Sequence, residues 1–261
     1  AINKYVYITI NKRTIDSLIW LSYSKVENTE KVSDIKHELI REALKVLGKN
    51  EKGLSVAVQG FGNVGSHIGR ILGEWGFNVV AVSDSKSGIY DPKGLDIKKI
   101  FSETGKGMRI SEMQSGKKVS NGELLELPVD VLIPSAIENV INSGNMARIN
   151  AGIILEMANG PLSGEADDYL EKKGVTILPD ILANSGGVIV SYFEWVQNLS
   201  NFYWTEKEVN EKLGAQISRA FKGIDELRAS EKTSYRKAAY IIAVKRILQA
   251  EADRGNSPKK Q

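Results

Sequence analysis

Three glycines, Gly60, Gly62 and Gly65, lie in the run AVQGFGNVG and spell G-x-G-x-x-G, with Phe61, Asn63 and Val64 between them. The chemistry open to such a run is the binding of a pyrophosphate. Gly60 permits a tight turn, Gly62 lets the backbone approach the phosphates with no Cβ in the way, and Gly65 lets a helix pack closely on a strand. A helix opening there adds free N–H groups and the positive end of its dipole. Alone the motif is weak, but it follows the expected strand Ser55–Gln59 and opens a helix over Val64–Glu74. A second expected strand then ends at Asp84, 19 residues after the last glycine. This context is that of a dinucleotide-binding fingerprint. A turn in which the glycines serve only the backbone is the competing reading.

Asp84 stands where an acidic side chain would accept hydrogen bonds from the ribose hydroxyls of NAD. Ser83, Ser85 and Lys86 beside it are suited to a ribose phosphate instead, with Lys86 supplying positive charge. The balance tips slightly to NAD over NADP. Asp84 as a plain turn residue at a strand end is the alternative.

The elements that must position these residues follow from the pattern of apolar runs. Short aliphatic segments at Ser55–Gln59, Asn78–Ser83, Asp130–Ile133, Ile153–Met157 and Val175–Leu178 alternate with helical stretches, the sequence form of a parallel sheet covered on both faces. Ser120 to Glu123 and Thr205 to Glu208 have the capping form Ser/Thr-x-x-Glu. Long amphipathic helices are expected over Thr205–Arg228 and Thr233–Arg254, with Ala239, Ile242, Ala243 and Ile247 at core spacing. Polar, glycine-bearing residues 102–119 read as a surface excursion. The first 50 residues read differently from the rest, with a strand-like run at Tyr5–Ile10 and then a helix over Asp34–Leu47; residues 1–40 are expected to form an atypical N-terminal segment and residues 41–261 the dinucleotide-binding domain.

Composition removes several classes. The 261 residues carry 35 basic and 32 acidic side chains, interleaved, which leaves no electrostatic footprint for nucleic acid. There is no cysteine, hence no disulfide, thiolate catalysis or zinc–thiolate site. No metal site is expected. No apolar run approaches the roughly 20 residues that span a bilayer, and no secretory leader is readable, so a cytoplasmic protein is expected. The chain starts at Ala1 rather than Met, which suits a processed or excised start. His67, on the helix after the glycine turn, reads as a packed or surface residue, and His37 has still less functional support.

The runs AVQGFGNVG, VVAVSDSKSGIYDPKGLD, LELPVDVLIPSAIENVI, LEMANGP and ILPDILANSGGVIVSYFEWVQN resemble the glutamate dehydrogenases of the amino-acid dehydrogenase superfamily. The resemblance covers about residues 41–254. It implies a modified Rossmann fold, a doubly wound α/β sheet with one strand running against the others and C-terminal helices. It implies hydride transfer between a nicotinamide cofactor, NAD or NADP, and glutamate or 2-oxoglutarate, and possible homo-oligomers. Carried over residue by residue, Ala136 lies on the adenosine side, Asn159 and Asn184 contact the nicotinamide end, and Val188 and Ser191 face the amino acid. The two asparagines can also be read as turn formers. Gly186 and Gly187 let backbone approach a ligand at a helix start, while Tyr192, Phe193 and Trp195 are expected to pack.

The resemblance has a boundary. Such enzymes begin with a separate domain carrying catalytic lysines and an aspartate, and residues 1–40 contain neither a K-x-G-G nor a P-A-P-D type segment. No catalytic residue is therefore assigned. Where the family carries an Ala-Thr-x-x-Gly stretch, this chain has Lys31, Val32, Ser33, Asp34 and Ile35. An excised cofactor domain, a degenerate paralogue and an altered reading frame each account for this. A stand-alone nucleotide-binding module without catalysis is the rival function.

Overall fold

The computed structural model describes residues 53–254; the expected strand at Tyr5–Ile10, the helix over Asp34–Leu47 and His37 lie outside the described residues. The described chain builds a seven-stranded sheet of order β4-β3-β2-β1-β5-β6-β7. The strands are β1 (Ser55–Gln59), β2 (Asn78–Ser83), β3 (Gly88–Tyr90), β4 (Lys117–Val119), β5 (Val129–Pro134), β6 (Ala151–Leu155) and β7 (Thr176–Leu178). Neighbours β2, β1, β5, β6 and β7 pair in parallel, while β3 pairs antiparallel with both β2 and β4. One strand, β3, thus opposes all the others, as the resemblance implies.

The helices are α1 (Asn63–Glu74), α2 (Ile97–Gly105), α3 (Asn121–Leu125), α4 (Gly164–Lys172), α5 (Asp180–Ala183), α6 (Ser185–Ser200), α7 (Glu206–Glu231) and α8 (Tyr235–Asp253). Because successive strand side chains point to opposite faces, aliphatic strands need cover on both. Val56, Val58, Val131 and Ile133 enter one core with Ile68 and Leu72 of α1 and Ile217 and Phe221 of α7. Ala57 and Leu132 enter the other with Leu124 of α3 and Leu170 of α4. The capping boxes at Ser120 and Thr205 form as expected.

Three expectations need correction. Residues 102–119 are not a mere surface excursion: Ile110 and Met113 are buried, and the segment returns to the sheet as β4. Its turn is held by Lys118 Nζ, which donates to the carbonyls of Ile110, Ser111 and Met113. Strand β6 lies two residues earlier than the apolar run suggested, because Glu156 and Met157 already belong to the loop beyond it. In α8, Ala239 is buried but Ile247 is exposed, since the end of that helix extends beyond the described core. No described helix is long and apolar enough to cross a membrane.

Candidate functional site

The chain passes from β1 through α1 to β2 on one side, while β5 lies on the other side of β1. In open α/β sheets this reversal leaves a crevice at the strand ends where ligands bind. Here the glycine turn after β1 and the loop after β5 lie side by side at those strand ends. Ser135 N–H donates to Gln59 O at 2.8 Å, and Ala136 lies directly against Gly60: a Cβ on Gly60 would fall 2.7 Å from that of Ala136. Gly60 also has φ +90°, in the left-handed region that favours glycine.

The three glycines are required for different reasons. A Cβ on Gly65 would collide with the Gly60 carbonyl, so this position is closed by the chain's own packing. A Cβ on Gly62 would meet nothing within 4 Å. Its φ of -85° is open to other residues, so nothing in the described chain demands glycine there. Gly62, Asn63 and Val64 form an exposed rim, and α1 starts with neither a side-chain cap nor an acidic residue in its first turn. The unclaimed space at Gly62 and the open helix end together suit an anionic group.

Phe61 lies within the turn, but its side chain is buried and packs on α1 at Gly69, where a Cβ would meet the ring at 2.9 Å. Its N–H donates to Ser83 O at 2.5 Å, and Gly60 N–H donates to Ser83 Oγ at 3.2 Å. Ser83, fully buried, is thereby spent on the turn and is withdrawn from the phosphate-binding neighbours expected beside Asp84. Ser85 and Lys86 are exposed.

Asp84 closes its own turn. Oδ1 accepts from Lys86 N–H at 2.8 Å and Ser87 N–H at 3.1 Å, and Oδ2 accepts from Ser111 N–H at 3.2 Å. Partial burial pushes this carboxyl up, but the backbone N–H donors outweigh it and hold the group below its ordinary value. Asp84 therefore carries a firm negative charge at the end of β2. His67 packs at a ring-centroid distance of 5.3 Å from Phe101, and burial followed by the Arg70 charge lowers its pKa, so it is a neutral packed histidine.

Farther along the sheet, after β6 and β7, the structure brings together two residues that are distant in sequence. Asn184 Nδ2 donates to Asn159 Oδ1 at 2.7 Å. Asn184 sits at the junction of α5 and α6, and Gly186 and Gly187 follow in the first turn of α6. A Cβ on Gly187 would meet nothing within 4 Å, and one on Gly186 only Ile217 at 3.7 Å, so these positions resemble Gly62 in having no steric need for glycine among the described residues. Val188 is 69% exposed and Ser191 is exposed on the same helix. Phe193 packs as expected, but Tyr192 and Trp195 are more than half exposed, because they share the outward face of α6 with Val188.

Sequence reasoning missed the charged cluster behind the asparagines. Arg236 of α8 bonds Glu156 at 2.7 Å, Asp167 at 3.0 Å and Asp180 at 3.2 Å. Glu156 is fully buried directly after β6. Burial pushes its carboxyl up despite the opposing pull of Arg236, and Arg236 itself is held above its ordinary range by Asp167 and Glu156 against the effect of burial. The signal available in the sequence was a glutamate directly continuing an apolar strand, in LEMANGP, which must find a cation if it is buried.

The sequence model of the Glutamate/Leucine/Phenylalanine/Valine dehydrogenase family matches residues 37–255. A glutamate dehydrogenase of Thermotoga maritima is 43% identical over 217 residues, covering 83% of this chain and 52% of that protein. An NADP-specific glutamate dehydrogenase of Halobacterium salinarum is 43% identical over 223 residues, covering 84% and 53%. A cryptic catabolic NAD-specific glutamate dehydrogenase of Bacillus subtilis is 42% identical over 216 residues, covering 83% and 50%. Among solved structures, the hetero-hexameric glutamate dehydrogenase of Thermus thermophilus superposes with a TM-score of 0.77 at 30% identity, covering 84% of this chain and 52% of that one. The chain spans about half the length of the curated relatives it matches.

Proposed function

Because the chain belongs to the Glutamate/Leucine/Phenylalanine/Valine dehydrogenase family, we propose that it binds a nicotinamide dinucleotide across the ends of β1 and β5. It acts as the cofactor-binding half of an NAD(P)-dependent glutamate dehydrogenase, whose reaction is reversible oxidative deamination of glutamate to 2-oxoglutarate and ammonia. The observation that carries this reading is the space at Gly62. A glycine with no steric reason among the described residues, at an uncapped helix start on the topological switch point, fits a pyrophosphate. The relatives' names include both NAD-specific and NADP-specific enzymes, which supports a nicotinamide dinucleotide.

The residues then divide by the part of the ligand they serve. The backbone of Gly60 to Gly65 holds the pyrophosphate, with Phe61 fixing the turn from beneath. Ala136, small and seated on Gly60, leaves room on the adenosine side. The Asp84 charge and the exposed Ser85 and Lys86 meet the ribose, with NAD modestly preferred. Asn159 and Asn184 address the nicotinamide end, where amide side chains complement a carboxamide's donor and acceptor. Val188 and Ser191 form one wall of the amino-acid pocket, Ser191 toward the side-chain carboxylate. When bound, the nicotinamide ring supplies the hydride chemistry, and this chain's task is to orient it.

A second reading, a nucleotide-binding module without catalysis, is favoured by the outward exposure of Val188 and Ser191, which leaves the amino-acid wall unopposed among the described residues. Calorimetric and tryptophan-fluorescence titration of the purified chain with NADH and NADPH tests the shared premise. Saturable binding of either supports it, and silence toward both at millimolar ligand overturns it. A glutamate-dependent activity assay then separates the two readings.

A further inference from the structure

We propose that Arg236 is a positioning residue, which aligns the asparagine pair at the nicotinamide end of the site by tying together the two loops that carry it. This assignment rests on the proposed binding of nicotinamide. Asn159 lies in the loop after β6, and Asn184 follows the short helix α5 after β7, so each depends on its loop for position. Arg236 reaches both loops from a third element.

Its guanidinium donates from Nη2 to Glu156 at 2.7 Å, at the start of the first loop, and from Nη1 to Asp180 at 3.2 Å, at the start of the second. Those two carboxylates then connect the loops to each other. Glu156 Oε2 accepts from the Asp180 N–H at 2.8 Å, and Asp180 Oδ2 accepts from the N–H of Gly160, next to Asn159, at 2.8 Å. Asp167 on α4 holds the guanidinium by two further bonds, at 3.0 and 3.1 Å, which fixes the plane of the fork.

Helix geometry argues that the residue is there for this cluster and not for its own helix. Arg236 is the second residue of α8, at the positive end of the helix dipole, where a cation is disfavoured. Three carboxylates offset that cost. A planar, five-donor fork can serve three acceptors in different directions, whereas a lysine ammonium on a flexible stem would leave the angles unset. The contact between Asn184 and Asn159, at 2.7 Å, is the end point of this chain of bonds.

The experiment compares NADH with ADP-ribose, which carries the adenosine, pyrophosphate and second ribose but no nicotinamide, on the full chain and on Arg236→Met and Asp180→Asn. Breaking a partly buried ion cluster endangers folding. Asp180→Asn, which leaves Arg236 paired with Glu156 and Asp167, therefore carries the test if Arg236→Met fails to fold. Wild type is expected to bind NADH more tightly than ADP-ribose. In folded variants NADH affinity should fall about tenfold, the worth of about one hydrogen bond, while ADP-ribose affinity stays nearly constant. Equal losses for the two ligands, or no loss for either, overturn the positioning role, as does a wild type that binds both ligands equally. A wild type silent toward both overturns the nicotinamide-binding reading itself, and this assignment falls with it.

Discussion

Gly65 is closed to any side chain by the carbonyl oxygen of Gly60, which occupies the place a Cβ would take, whereas Gly62 between them faces open space. One motif therefore contains a glycine demanded by the fold and a glycine that the proposed function leaves to a ligand. The first follows from strand β1 and helix α1 meeting at the turn; the second meets no steric neighbour among the described residues.

This contrast yields a paired prediction. Gly65→Ala overpacks against backbone that cannot swing aside, which costs about 3 kcal/mol, equal to a melting temperature lower by about 6–12 °C in a chain of this size. Gly62→Val should leave the melting temperature within about 2 °C, as expected for a surface change, yet abolish NADH binding. Thermal unfolding and calorimetry on both variants check this; retained NADH affinity in Gly62→Val would falsify the assignment of the turn.

In the proposed site, cofactor choice should be set by opposing charges at the end of β2. The backbone-held carboxylate of Asp84 repels a 2′-phosphate, and the exposed Lys86 attracts it. Near-cancellation leaves NADH favoured by about tenfold, or about 1.4 kcal/mol. Asp84→Ser removes the repulsive charge and should bring the two dissociation constants to within about threefold, since only a modest discrimination separated them. Tighter NADPH than NADH binding by wild type would mean that Ser85 and Lys86 dominate.

The glycine turn and the central strands were legible because they depend on local signals, glycine spacing and aliphatic runs; that one strand opposes the rest was implied only by the family resemblance, and its place at Gly88–Tyr90 was not read. Strands β1 and β2 begin and end where their apolar runs do. What escaped depends on contacts distant in sequence. Strand β4 is KKV, two lysines and one valine, and joins the sheet only because β3 offers it an edge. Arg236 is separated from Glu156 by 80 residues and looks, in SYRKAAY, like any helix-surface cation. Asp84 was readable as a ribose acceptor or as a turn former. Its three backbone donors make it a turn former by geometry while leaving its charge in place.

The same residue gives a pH dependence. Asp84 is held below its unfolded value, so its contribution is fully present above the unfolded pKa and is lost as the pH falls through the lower folded pKa. Asp84→Asn keeps an oxygen for Lys86 and Ser87 but turns an amide toward Ser111. Solvent at this partly exposed site limits the loss to about 1 kcal/mol. Urea unfolding should show wild type more stable than the variant at pH 5 to 7, with the difference shrinking below about pH 4, where unfolded aspartate takes up its proton. A difference that stays constant down to pH 2.5 would contradict a carboxyl whose folded pKa lies below its unfolded one.

The polypeptide of this sequence, assayed by itself, should show no appreciable glutamate-dependent reduction of NAD or NADP even if it binds the cofactor. General acid/base catalysis contributes about a hundredfold to ten-thousandfold, and residues 1–40 offer none of the lysine and aspartate segments that the family resemblance implies for that task. Holding the amino acid against the nicotinamide is worth roughly 7 to 11 kcal/mol, and it requires a pocket with two walls. In the proposed site, Val188, 69% exposed, and Ser191, also exposed, would supply one wall on the outward face of α6. Glutamate should therefore bind weakly, and added glutamate should not tighten NADH binding by more than about twofold, because a single wall has little coupling energy to give. Glutamate-dependent NADH formation that co-purifies with the chain, and disappears in Gly62→Val, would sink this prediction and assign catalysis to residues outside the family's lysine and aspartate segments.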